Sequence, residues 1–170
     1  MENYEVNEDT AAVMGVNKNA TRVIETENEY FINDSAYEVM DYSCRYFGSS
    51  YTGRVDGSKK ILGANYKVPV IVEESSDLIF FPIASPEDKH CVWLSLKWIK
   101  DVYEKNGTTY VEFKNGKRII CKCSVASIKN QIMRASRLNT LLNERKKVIV
   151  RKEIIYYKIY NNLGKNKRKS

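Results

Sequence analysis

The chain has 170 residues, 43% of them hydrophobic and 29% charged, the make-up of a water-soluble globular protein with about one domain's worth of chain. No apolar run approaches the roughly 18 residues of a membrane span, and the opening MENYEVNEDT is too acidic and polar for a secretory signal, so the expected location is the cytoplasm. The net charge of +7 is unevenly spread: residues 1–50 hold three basic and ten acidic side chains, residues 51–114 nine of each, and residues 115–170 sixteen basic against two acidic.

Residues 10–16 and 21–26 are rich in β-formers and flank the turn-like Asn17-Lys18-Asn19, and Glu29–Ile32 supplies a third strand. Ser35 and Glu38 then have capping-box spacing, and Ala36, Val39, Met40, Ser43 and Phe47 follow at helical intervals up to Gly48, where a helix stop belongs. Residues 48–54 are expected to form the loop beyond this helix, continuing through the turn-like Val55-Asp56-Gly57-Ser58-Lys59-Lys60. Residues 68–72 and 78–81 read as buried strands joined by an acidic turn, and Pro82 and Pro86 close that section. Residues 91–96, 99–105, 108–114 and 117–124 are strand-like, and Asn106-Gly107 and Asn115-Gly116 punctuate the last three. Asn-Gly between alternating segments is the strongest short-range hairpin signal, so this region predicts an antiparallel meander.

From residue 125 to 145 the period becomes helical, with Ile128, Ile132, Ala135, Leu138 and Leu142 on one face and Lys129, Arg134 and Arg137 away from it. A second helix is predicted over residues 147–163, carrying Val148, Ile155, Ile159 and Leu163 and ended by Gly164, with residues 165–170 as a basic disordered tail. The expected fold is α+β: an antiparallel meander or roll, a helix after residue 33, and C-terminal helices packed on the sheet. Residues 1–164 would form one domain, or two lobes meeting near residues 82–90.

Catalytic chemistry finds little support. The single histidine, His90, adjoins Cys91, and neighbours on a strand point to opposite faces, so they make no nucleophile–base pair. No phosphate loop, dinucleotide fingerprint or zinc-protease motif is present. Cys44, Cys91, Cys121 and Cys123 follow no metal-ligand spacing and read as buried, reduced thiols. Neither enzymatic activity, a metal nor a cofactor is expected.

The segment Ser43-Cys44-Arg45-Tyr46-Phe47-Gly48-Ser49-Ser50-Tyr51-Thr52-Gly53-Arg54 carries two arginines, three aromatics, two glycines and no acid. Glycine lets a backbone approach closely, serine donates hydrogen bonds, and arginine holds a permanent forked charge, a mix suited to a phosphate backbone. Arg45, Ser49, Ser50, Arg54, Lys59 and Lys60 form one candidate DNA-binding group, and Arg134 and Arg137 a second. The tail offers Lys165, Lys167, Arg168 and Lys169 as a nonspecific electrostatic aid. A basic C-terminal third is the footprint of a polyanion binder, although a solvated lysine-rich surface gives the same count. Each group has a plainer reading: Tyr46, Phe47 and Tyr51 as core aromatics, Arg45 paired with a nearby acid, and Arg134 and Arg137 as an ordinary helix face. Without a helix-turn-helix pattern, arginines on a Gly/Ser-rich segment suit the narrow, strongly negative minor groove of A·T tracts.

The run SCRYFGSSYTGR closely resembles the hallmark segment of the ComK family of competence transcription factors. The resemblance extends over residues 4–145: Tyr4-Glu5-Val6, the hallmark, Ile79-Phe80-Phe81-Pro82, Trp93, Phe113-Lys114-Asn115-Gly116-Lys117 and a helix beginning near Ser127. It implies an activator of DNA-uptake genes that binds paired A/T-rich boxes through the minor groove, assembles as dimers and tetramers, acts on RNA polymerase, and is delivered to a Clp protease by an adapter. No counterpart of the family's Phe/Tyr/Pro-containing adapter-docking segment is found between the two predicted C-terminal helices. The competing reading is an interaction module that binds no DNA and tunes an active regulator through mixed oligomers, its acidic first third docking on a basic last third. A weaker one is nonspecific nucleic-acid coating by the tail.

Overall fold

In a computed structural model that describes residues 3–166, alternating side chains build a six-stranded antiparallel sheet. Its strands are β1 (Thr10–Asn17), β2 (Ala20–Glu25), β3 (Glu29–Ile32), β4 (Val70–Glu73), β5 (Leu78–Pro82) and β6 (Val92–Ser95), in the order β3-β2-β1-β6-β5-β4. Register places Val23, Val13 and Trp93 in one cross-strand row, and Ile24, Ala12, Leu94 and Phe81 in the next. All of these side chains are buried, so the sheet is covered on both faces. On the first face it packs under helix α1 (Ala36–Tyr46), through Ala36, Val39, Met40 and Cys44, and under Tyr51. The capping box at Ser35 and Glu38 is formed, which fixes where α1 begins.

Strands β7 (Ile99–Lys105), β8 (Thr108–Phe113) and β9 (Arg118–Cys121) form a separate three-stranded meander. Its first turn uses Asn106 at φ 52° and Gly107 at φ 74°, the left-handed pair that an Asn-Gly hairpin requires. The strand expected over residues 91–96 belongs instead to the larger sheet, because a short 3₁₀ turn, Leu96–Trp98, separates it from β7.

Two further sequence expectations are corrected. Residues 48–60 are not a loop and turn: Tyr51–Leu62 is helix α2, started by the Ser50 side chain, which accepts the Gly53 N–H, and stopped by Gly63 at φ 64°. Tyr51, Ser58 and Leu62 bury its inner side. The two predicted C-terminal helices are one, α3 (Val125–Asn166), because no proline or glycine interrupts residues 125–163. The chain divides into two compact units, Met1–Leu138 and Asn139–Ser170. In the first, Ile128, Ala135 and Leu138 of α3 are buried; in the second, Val148, Ile149, Ile155, Tyr156 and Leu163 are exposed. Of the expected disordered tail, residues 167–170 lie outside the described residues.

Candidate nucleic-acid interface

The hallmark segment forms the corner between α1 and α2, held by its own polar groups and by Asp41. At the end of α1, Gly48 adopts φ 89° while its N–H donates to the Arg45 carbonyl (3.0 Å) and the Ser49 N–H to the Cys44 carbonyl (3.1 Å). This pair of bonds closes the helix and turns the chain. Ser50 then caps α2, and Asp41 reaches across from α1: Oδ1 accepts the Tyr51 N–H (2.8 Å) and Oδ2 accepts Arg45 Nε (2.7 Å). Burial raises the Asp41 pKa, but the Arg45 hydrogen bond, the Tyr51 N–H and the Arg45 charge outweigh it and hold the carboxyl below its usual value. Tyr51 enters the core edge-on to Tyr37 and Trp93, its hydroxyl accepting Trp93 Nε1 at 3.4 Å.

The two hallmark arginines take different places. Arg45 pairs with Asp41 yet leaves its side chain 67% exposed. Arg54 lies in the first turn of α2 and is only 19% exposed. Its Nη2 donates to the Phe47 carbonyl at the end of α1 (2.9 Å) and its Nη1 faces Glu74 Oε1 at 3.9 Å. A cation on the carbonyl end of a helix is favourably placed, so Arg54 ties α1 to α2. Of the three aromatics, Tyr51 is buried, Phe47 half-buried against the core and Tyr46 exposed.

Facing solvent along this corner are Arg45, Tyr46, Gly48, Thr52, Gly53, Asp56, Gly57 and Lys60, while Ser49, Ser50 and Lys59 are half-buried. A Cβ at Gly57 would meet nothing within 4 Å, so glycine is not required there by the rest of the chain. At Gly53 a Cβ would lie 2.8 Å from Ser49 Oγ.

The second candidate group is also divided. Arg137 is exposed. Arg134 is turned inward: Nη2 donates to the Tyr66 carbonyl (2.7 Å), and Nη1 to the Lys67 carbonyl (3.3 Å) and to Gln131 Oε1 (2.7 Å). Desolvation lowers its pKa. Tyr66 and Lys67 escaped the sequence reading, since nothing in their spacing marks a lysine at φ 46°. Burial pushes the thiols of Cys44, Cys91 and Cys121 up to about 12, so at neutral pH they stay protonated and poorly nucleophilic.

A family model described as ComK protein matches residues 1–147. Among curated proteins, the chain is similar to the competence transcription factor of Bacillus subtilis (strain 168), with 32% identity over 163 residues that cover 92% of this chain and 85% of that protein. No solved structure matches.

Proposed function

The chain belongs to the ComK family, and from that premise we propose that it activates transcription of DNA-uptake genes by binding A/T-rich boxes, mainly through the minor groove, as an oligomer. The observation that carries the reading is the α1–α2 corner, where an exposed arginine stands beside bare glycine backbone. Arg45 is long enough to enter a narrow groove, whose negative potential favours guanidinium. Gly53 and Gly57 let the neighbouring strand of DNA approach the helix without a side chain between them. Ser49, Ser50, Lys59, Lys60 and Arg137 serve phosphates, and Arg54 acts by fixing the angle between α1 and α2. RNA polymerase is then recruited or stabilised by the bound oligomer.

A second feature supports assembly. On α3, Leu142, Ile149, Tyr156 and Leu163 repeat every seven residues beside Leu141, Val148 and Ile155. The members of both columns from residue 148 onward are exposed, an apolar surface suited to burial against another chain. The same face would serve mixed oligomers with a related chain.

The test is fluorescence anisotropy of the full chain on a duplex carrying two A/T boxes, against one scrambled to G/C, across a salt series. Tighter binding to the boxes that persists at moderate salt is expected. Equal binding that disappears with salt would leave only phosphate attraction and favour the partner-protein reading.

A further inference from the structure

The loop after α2 is held from a distance. Gln131 Nε2 donates to the Lys67 carbonyl (2.7 Å) and to the Pro82 carbonyl (2.6 Å), and Arg134 adds its bonds to the Tyr66 and Lys67 carbonyls. Under this clamp Lys67 sits at φ 46°, a left-handed conformation that a lysine seldom adopts and that surrounding bonds must enforce. The result is a pair at the edge of a cleft: the Lys67 ammonium stands 5.1 Å over the Tyr66 ring, with Tyr66 65% exposed and Lys67 half-buried. Both residues line the same cleft of about 320 Å³ as Thr52, Asp56 and Lys59 of α2.

We propose that Arg134 is a positioning residue, and that the Tyr66–Lys67 corner it holds, rather than Arg134 itself, meets the DNA sugar–phosphate backbone beside α2; this rests on the DNA-binding reading above. Arginine has five N–H donors in a rigid fork. Three of the Arg134 hydrogen bonds already go to the protein, which leaves a poor fork for phosphate. Lys67 has the complementary character: a point charge on a flexible stem, aimed by its backbone and by the ring. Asp56 and Glu87 also line the cleft, so bulk charge does not attract the backbone there. Attraction comes from the directed ammonium on a phosphate oxygen, with the Tyr66 ring against the adjoining sugar.

The salt series on the two-box duplex tests this with the full chain. Lys67→Gly relieves the backbone and removes the ammonium, so it should fold, bind the boxes about tenfold more weakly and lose about 0.9 from the salt slope, one phosphate contact. Arg134→Lys keeps the charge but cannot bridge both carbonyls, and it should show the same loss of slope. Combining the two should be no worse than either alone. Wild-type slope in Lys67→Gly, wild-type binding in Arg134→Lys, or a full further loss in the double variant would each overturn the assignment. Wild-type protein without box-dependent binding would instead bring down the DNA-binding reading itself, a separate and recognisable outcome.

Discussion

Asp41 shows how one carboxylate can organise the corner. It accepts the first N–H of α2 and the Arg45 guanidinium, so Asp41→Ala should lower stability by about 1 kcal/mol, the usual cost of a lost helix cap. Thermal denaturation in urea would measure this, and Asp41→Asn, which keeps an acceptor for the Tyr51 N–H, should lose less. Glu73 is held at about 2, chiefly by the Ser76 and Ser75 hydroxyls. For both carboxyls the folded pKa is depressed, so their contribution is fully present above the unfolded value near 4 and disappears as pH falls through the folded value. Stability should therefore stay level between pH 7 and 5 with respect to these groups and fall between about 4.5 and 2, and Asp41→Ala should flatten part of that fall. Arg54→Ala removes a charged donor from the Phe47 carbonyl and should cost about 2 kcal/mol; an unchanged melting temperature would contradict its tie between α1 and α2.

At the scale of elements, the strands and α1 were legible because their signals are local and agree. The Asn106-Gly107 turn and the Ser35–Glu38 capping box each name an element boundary by themselves. Helix α2 was obscured because Gly53 and Gly57 read as loop residues, although Tyr51, Val55, Ser58 and Leu62 carry the helical period. The helix survives its glycines because Ser50 and Gly63 close both ends and Tyr51 anchors it in the core. Gly57→Ala should accordingly stabilise the fold by about 0.5–1 kcal/mol, since the added methyl meets no neighbour. A lower melting temperature would count against an unobstructed helix face. The site was half legible for a related reason. Sequence spacing gives the side of the helix on which Arg134 lies and puts Arg54 on a loop, and in neither case shows the carbonyls that other segments bring within reach. Tyr66 and Lys67 carried no signal, because a left-handed lysine is imposed by bonds from α3.

For the whole molecule, what matters is which surfaces the fold leaves uncovered. Both faces of the six-stranded sheet are buried, whereas the outer side of the α1–α2 corner and residues 148–163 of α3 are open. Among the described residues, no helix is long and apolar enough to cross a membrane. In the proposed assembly, the exposed apolar side chains of α3 are the surface that a second chain covers. Ile149→Lys with Tyr156→Lys should shift the chain toward monomer in sedimentation velocity while leaving the melting temperature within about 0.5 kcal/mol equivalent. Unchanged sedimentation would place self-association elsewhere.

The central claim, that bare backbone of the α1–α2 corner meets A/T-rich DNA closely, is tested most directly by the affinity of Gly57→Gln for the two-box duplex. Glutamine is a better helix former than glycine and adds no charge, so folding should improve while the approach is blocked. The account predicts at least tenfold weaker box binding from a protein that melts no lower than wild type. Wild-type affinity would contradict it.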